Sequence, residues 1–248
     1  MKSIIKLKSD FYSNGFVVIK KFFTNNEILE IIRESEKLKQ KIILQKNRYF
    51  HKTKDNKINT IHNIQKFYKK NYLVTFSKTK KLMKLVESLL GEKCMMRNVE
   101  LFFKPKKTGM KAPFHQDNFY WNILDSKALN VWIACSNASP KNGGMIYLRE
   151  SHKLGTLNHE ISFSPGSSQK ISEKILSKLK FKRISPTIKL GDCIIHHPDV
   201  IHGSKRNTSK LDRKALVISY KSINAKYDHI KLKRYNKSLK KNLKKIYN

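Results

Sequence analysis

The chain has 248 residues, of which 39% are hydrophobic and 10% aromatic, and its 53 Lys and Arg against 18 Asp and Glu give a net charge of +35. This composition excludes wholesale disorder, and no apolar run approaches the roughly 20 residues that a membrane span requires. Three widely spaced cysteines (Cys94, Cys135 and Cys193) argue against a disulfide framework or a zinc ribbon, and with no apolar signal segment near the start they predict a cytoplasmic protein.

Helix signals dominate the first part of the chain. The apolar run 15–19 predicts a short buried strand, and Thr24 with Glu27 has the form of a helix-capping box. A second helix is predicted to begin at Ser77 and to end at Gly91. The apolar residues in both segments recur at helical spacing: Ile28, Leu29, Ile31, Ile32 and Leu38, then Leu82, Leu85, Val86 and Leu89. We expect both helices to serve packing and to carry no chemistry.

From about Met95 the pattern changes to short β-type runs separated by turn residues such as Asn142-Gly143-Gly144. One helical insertion, 168–180, is expected to interrupt them. Because most of these runs have no helix between them, they predict an antiparallel sandwich or barrel. The predicted strands are 99–103, 129–135, 145–148, 187–190, 193–196 and 215–220.

The chain contains no internal repeat and no flexible linker, which predicts a single domain over 1–225. The Lys-rich tail, 226–248, fits either a surface helix or a frayed basic segment. The net charge also has two interpretations. It indicates an anionic partner, such as nucleic acid, a membrane surface or an anionic substrate, or it reflects a compositional bias. The scattering of lysines along the whole chain favours the bias.

A candidate metal site begins at His115-Gln116-Asp117. Side chains two residues apart on a strand project to the same face, so His115 and Asp117 can bind one cation together. A histidine from a distant strand, His202, would complete a set of two histidines and one carboxylate. Three ligands on one face leave the opposite positions open, which is typical of iron(II) sites that bind a co-substrate and dioxygen.

A candidate carboxylate anchor follows the distal histidine. Arg213 comes eleven residues after His202, at the predicted start of the next strand. Its guanidinium could form two parallel hydrogen bonds with the far carboxylate of a dicarboxylic acid. Ser204 would project to the same side and donate a further hydrogen bond. His196 and His197 precede no such pattern, and His159 carries none, so we assign no iron to them.

These segments together resemble the phytanoyl-CoA dioxygenase-like family of iron(II)/2-oxoglutarate oxygenases. The resemblance covers about residues 10 to 220. It includes the Gly-Phe-Val-Val start at Gly15, the aromatic residues after His115-Gln116-Asp117, the Gly191-Asp192 turn, and His202-Gly203-Ser204 with Arg213.

The resemblance implies a mainly β fold with flanking helices, built on a double-stranded β-helix (a jelly-roll, cupin-like core). It also implies that His115, Asp117 and His202 bind Fe(II). Arg213, Ser204 and Trp132 would surround 2-oxoglutarate, and O2 would be the oxidant. For the upstream contact to 2-oxoglutarate, Asn98 and Lys104 are both candidates.

We therefore expect a hydroxylase of a small organic substrate that releases succinate and CO2. The substrate would be anionic if the net charge is functional and not compositional. Asp117 favours hydroxylation, because related halogenases lack a carboxylate at that position. Two alternatives stay open: an oxygenase or binding protein directed at nucleic acid, suggested only by the charge, and a fold relative that has lost catalysis. The absence of recognisable nucleic-acid-binding motifs weakens the first, and the complete ligand set weakens the second.

Overall fold

The computed structural model describes residues 3–45, 49–164 and 167–247. The helices are α1 (Ile4–Asn14), α2 (Asn25–Ile42), α3 (Ile64–Phe67), α4 (Tyr72–Phe76), α5 (Lys80–Leu90), α6 (Asn118–Trp121), α7 (Glu173–Leu176) and α8 (His229–Tyr247). Two short 3₁₀ turns span Pro140–Asn142 and Ser151–Leu154. Among the helices of these ranges, none combines the length and the apolar character that a membrane span requires.

The strands are β1 (Phe16–Ile19), β2 (Phe50–Lys52), β3 (Ile58–Ile61), β4 (Cys94–Lys104), β5 (Ala112–His115), β6 (Ala128–Ala134), β7 (Met145–Leu148), β8 (Glu160–Ser164), β9 (Ser167–Lys170), β10 (Arg183–Ile184), β11 (Cys193–His196), β12 (His202–Ser204) and β13 (Arg213–Ser222). All pairings between them are antiparallel.

Two antiparallel sheets form the core of the described chain. The large sheet has the order β1-β11-β6-β13-β4-β3-β2, the small sheet has the order β10-β7-β12-β5, and β8 and β9 form a separate hairpin. Trp132 of the large sheet and Tyr147 of the small sheet belong to one buried cluster, so the two sheets face each other. The predicted double-stranded β-helix is confirmed.

The outer face of the large sheet is covered by helices. Alternate residues of β4, namely Val99, Leu101 and Phe103, pack in one buried cluster with Phe11 of α1 and Leu82 of α5. Because successive strand residues point to opposite faces, the other set on β4 faces the small sheet. The helices therefore stiffen the sheet from outside and leave its inner face for chemistry.

The sequence signals that predict where the helices begin and end are confirmed in part. The capping box at Thr24 and Glu27 is formed, and Gly91 ends α5 with a left-handed φ of 75°. The second helix begins at Lys80 after the separate turn α4, instead of at Ser77, because the Ser77 backbone caps the end of α4.

Two predicted elements were wrong. Segment 187–190 forms only an isolated bridge between Ile188 and Ala138. The helical insertion 168–180 is limited to α7, because residues 168–170 pair with β8 instead. The tail forms α8, and the boundary between 1–225 and 226–248 stays a prediction.

Candidate iron and 2-oxoglutarate site

Two histidines and one carboxylate lie together between the two sheets. His115 of β5 pairs directly with His202 of β12, and their ring centroids are 4.4 Å apart. Asp117 places one carboxylate oxygen 3.7 Å from His115 Nε2 and the other 3.7 Å from His202 Nε2. One ligand atom from each of the three lies within 4.8 Å of the other two, so a single cation could be held by all three.

The reason for this grouping differs from the expected alternation along one strand. β5 ends at His115, and Asp117 has helical dihedrals (φ −65°, ψ −33°) as the residue before α6. The chain therefore turns after His115, and this turn brings the carboxylate back towards the two imidazoles.

The protonation states suit a metal site. Burial lowers the pKa of His115 to about 4 and lowers the pKa of His202. Burial opposes ionisation of Asp117, but the surrounding imidazoles of His202 and His196 hold its pKa well below the usual range. Neutral imidazoles and an ionised carboxylate are the forms that bind metals.

The tautomers of the two histidines are fixed by the backbone. His115 Nδ1 donates to the carbonyl of Pro113 at 2.8 Å, and His202 Nδ1 donates to the carbonyl of Val200 at 3.0 Å. Because a carbonyl can only accept, Nε2 is the free ligand atom in both rings.

Two side chains that the sequence analysis assigned no role orient Asp117. Asn130 Nδ2 donates to Asp117 Oδ2 at 2.6 Å, and His196 Nε2 lies 3.1 Å from the same oxygen. His196 Nδ1 in turn faces the Tyr147 hydroxyl at 3.1 Å, and Ser219 holds the amide oxygen of Asn130. Among the described residues the candidate ligand group does not include His196, and the pairing of β11 with β6 sets it beside Asn130, where it supports Asp117.

Gln116, between the two candidate ligands, fixes the turn that carries them. Its side chain donates to the carbonyls of Gly155 and Asp199, both at 2.7 Å, and accepts from the amide of Leu157. Its backbone amide donates to His159 Nε2 at 2.9 Å. His159 is thus a missed positioning residue, and no local sequence signal marks it.

Two buried cations lie at one end of the cavity between the sheets. Arg213 and Lys104 are paired across β13 and β4, and both are buried. Lys104 Nζ donates to Ser204 Oγ at 2.6 Å and to the carbonyl of Lys205, while Arg213 Nη2 donates to the carbonyl of Gly143.

Within the described part of the chain these two cations have no anionic partner. Neither side chain forms an ion pair within the described ranges, and Arg213 Nε and Nη1 make no hydrogen bond there. Burial and the neighbouring Arg213 charge hold the pKa of Lys104 well below its ordinary value. Buried donors and charges without partners are costly, so this end of the cavity fits the carboxylate of a bound dicarboxylic acid.

Gly143 makes room for this cluster. Its φ is +79°, and a Cβ there would lie 2.7 Å from the Lys104 side chain and 2.9 Å from the carbonyl of Lys205. The Asn142-Gly143-Gly144 turn is therefore part of the wall of the anion subsite as well as a turn between strands.

Trp132 and Asn98, which were also predicted to contact 2-oxoglutarate, lie in different places. Trp132 lines the cavity with its ring centroid 5.6 Å from the Arg213 guanidinium carbon. Asn98 lies six residues from Lys104 along β4, and its carboxamide hydrogen-bonds Asn63 and Arg97 when its oxygen faces the Arg97 guanidinium. Lys104, the other candidate, contacts Ser204 directly. The contact of Asn98 with 2-oxoglutarate stays a prediction.

The sequence profile of the phytanoyl-CoA dioxygenase family matches residues 11–215. The chain belongs to this family. It is therefore an Fe(II)- and 2-oxoglutarate-dependent dioxygenase that uses O2, in agreement with the sequence-based expectation. The matched residues include the candidate ligands His115, Asp117 and His202 and the cation Arg213.

Individual relatives are more distant. The human peroxisomal phytanoyl-CoA dioxygenase is 27% identical over 235 residues, which cover 88% of this chain and 68% of the human protein. A probable alpha-ketoglutarate-dependent hypophosphite dioxygenase from Stutzerimonas stutzeri is 23% identical over 227 residues, 87% of this chain and 78% of that protein.

Solved structures share the fold. EctD from S. alaskensis, crystallised with 2-oxoglutarate and 5-hydroxyectoine, superimposes with a TM-score of 0.74 at 19% identity. The match covers 90% of this chain and 77% of EctD.

Proposed function

We propose that His115, Asp117 and His202 hold Fe(II) and that the chain hydroxylates a small organic substrate, with release of succinate and CO2. The observation that carries this proposal is the position of the three ligands and the unpaired cations Arg213 and Lys104 in one cavity. A dicarboxylic acid is the co-substrate that such a pair of sites would take.

Each residue has a defined task in this proposal. Arg213, with Lys104 and Ser204, binds the far carboxylate of 2-oxoglutarate, and Trp132 forms the wall beside it. Asn130 and His196 hold Asp117 so that the carboxylate keeps its position. When bound, Fe(II) and 2-oxoglutarate together with O2 would supply the oxidising chemistry that inserts one oxygen atom of O2 into a C–H bond, the other oxygen atom ending in succinate.

The test is an anaerobic titration of the purified chain with Fe(II) and 2-oxoglutarate, followed by the weak visible charge-transfer absorption. We expect the absorption in the wild type and its loss in His202→Ala and Asp117→Ala. His229→Ala, at the start of α8, is the control and should keep it. No absorption from folded wild-type protein would overturn the proposal.

Two further expectations stay proposals. The three cysteines are free and buried, which supports a reducing, cytoplasmic location. If the net charge is functional and not compositional, it favours an anionic substrate or, as the alternative, nucleic acid. Steeply salt-dependent binding to random oligonucleotides at physiological salt is the result that would favour nucleic acid.

A further inference from the structure

The cavity wall includes polar groups that neither the ligand set nor the carboxylate anchor uses. On β4 the residues that face the small sheet include Glu100, Phe102 and Lys104, and all three line the cavity. Glu100 is four residues from Lys104, which corresponds to about 13 Å along a strand. Glu100 therefore lines the cavity well away from the co-substrate anchor, on the side left for the substrate.

Glu100 has only part of its hydrogen-bonding capacity satisfied. Oε1 lies 3.1 Å from His62 Nδ1, and both side chains are largely buried. In the described part of the chain no lysine or arginine forms an ion pair with Glu100, and Oε2 makes no hydrogen bond. A largely buried carboxylate with one open oxygen favours a positively charged group in the cavity.

Thr60 adds a second unsatisfied group on the same wall. It belongs to β3, pairs with Phe102 of β4 and lines the cavity. Its side chain is 3% exposed, yet Oγ1 has no hydrogen-bonding partner within the described residues. Buried hydroxyls are almost always paired, so a ligand atom is the natural partner for this one.

Arg97 is close enough for the Glu100 charge to offset part of the lowering of its pKa by burial, but the two side chains form no ion pair within the described residues. Arg97 is the unpaired residue of a β-bulge opposite Ser219 and Tyr220, and its guanidinium carbon lies 4.8 Å from the Trp121 ring centroid. Bulges re-aim side chains in this way. Lys111 lines the cavity but is exposed, so water and salt screen its charge.

We propose that the substrate carries a protonated primary or secondary amine, which donates hydrogen bonds to Glu100 Oε2 and Thr60 Oγ1. This inference rests on the proposed function, because it assigns the substrate of that same cavity. It differs from the expectation of an anionic substrate, which came from the net charge. Charges on the outer surface are screened within about 10 Å in salt, whereas Glu100 would touch the bound molecule.

The test uses the full chain with Fe(II) and 2-oxoglutarate, kept anaerobic. Pairs of small amines and their N-acetyl derivatives are titrated in, and binding is measured by calorimetry. A charge-assisted hydrogen bond corresponds to about a tenfold to a hundredfold change in affinity. We expect the amine of a pair to bind more tightly by that factor, and amines that bind should also stimulate succinate formation in air.

Three variants separate recognition from folding. Glu100→Gln keeps an acceptor for His62, so it should fold normally, keep the visible absorption and lose the preference for amines. Thr60→Val removes a hydroxyl without a partner, so it should keep its melting temperature and bind amines several-fold more weakly. Glu173→Gln removes an exposed carboxylate on α7 and should change nothing.

The outcomes are distinct. Any one of four results would overturn this inference. Amines could bind no more tightly than their N-acetyl derivatives, or not at all. Carboxylates or phosphates could bind more tightly than amines, or Glu100→Gln could keep the preference for amines. Absence of the visible absorption from the wild type would instead overturn the proposed function.

Discussion

His196 Nε2 lies 3.1 Å from Asp117 Oδ2, while Nδ1 of the same ring faces the Tyr147 hydroxyl at 3.1 Å. Through these contacts His196, on β11 of the large sheet, is joined to Asp117, which follows β5 of the small sheet, and to Tyr147 on β7 of the same small sheet. Partners of this kind orient metal ligands, and their loss typically weakens metal binding by about tenfold to a hundredfold.

We therefore expect His196→Leu to weaken Fe(II) binding by about tenfold to a hundredfold. The side chain of leucine fills part of the space but gives Asp117 no hydrogen bond. Tyr147→Phe should have a smaller effect in the same direction, since it removes only the contact to Nδ1. The measurement is an anaerobic Fe(II) titration, and equal affinities of His196→Leu and the wild type would contradict the assigned role.

Arg213→Lys should weaken the affinity for 2-oxoglutarate by about tenfold or more, because a point charge cannot reproduce two parallel hydrogen bonds. Iron binding should be unaffected, since Arg213 does not contact the three ligands. The affinity is measured from the dependence of the visible absorption on 2-oxoglutarate. Lys214→Arg, one residue further and paired with Glu36, is the matched control. An unchanged affinity in Arg213→Lys would mean that the anchor is misassigned.

Lys104→Met should produce opposite effects on stability and on co-substrate binding. The change removes a buried charge that lies near Arg213, so the chain without ligand should melt at a higher temperature. The affinity for 2-oxoglutarate should fall, because one of two cations at the carboxylate is lost. Thermal melts and the 2-oxoglutarate titration measure both effects. A lower melting temperature together with full affinity would contradict this view of Lys104.

Lys104 also predicts a pH dependence. Its pKa is lowered in the folded chain by burial and by Arg213, relative to the ordinary 10.5 of the unfolded chain. Between these two values the unfolded chain binds more protons, so the free energy of unfolding rises with pH in that window. We expect this contribution in the ligand-free wild type and its absence in Lys104→Met. Denaturant unfolding at several alkaline pH values measures the free energy of unfolding. The same dependence of this free energy on pH in the wild type and in Lys104→Met would contradict the prediction.

Gly203→Ala tests the close contact of the two strands that carry the histidines. A Cβ at Gly203 would lie 2.9 Å from the carbonyl of Ala112 and 3.2 Å from the amide of Phe114. The added methyl group should therefore push β5 away from β12 and separate His115 from His202. We expect both lower stability and weaker Fe(II) binding, measured by thermal melts and by metal titration. Wild-type values for both would show that the strands absorb the methyl group.

Some residues of the candidate site are marked by a signal in the sequence, and others are not. His115, Asp117, His202 and Arg213 could be proposed because their types and order along the chain suggest a chemistry. His196 and His159 could not, since a histidine that supports a ligand has the same local pattern as one that packs in the core. Their roles follow from strand pairing and from a loop contact between residues 43 positions apart.

The errors in the secondary structure predicted from the sequence have a similar cause. Segment 187–190 has an apolar alternation typical of a strand, but only Ile188 finds a partner. Segment 168–180 was expected to be helical, but its first residues pair with β8. In both cases pairing with a distant segment, which no local window contains, decided the structure.

By itself the sequence determined the family, the jelly-roll fold and the set of groups that can bind iron and a dicarboxylic acid, because these depend on residue type and order. Only the tertiary structure decided the rest. The helical turn after β5 brings Asp117 to the histidines. In the part of the chain that the structure describes, Lys104 lies beside Arg213 without a counter-ion, and Glu100 and Thr60 line the same cavity, each with an oxygen that has no hydrogen-bonding partner. The physical reason is that hydrogen bonding and charge compensation depend on distances between segments far apart in the chain.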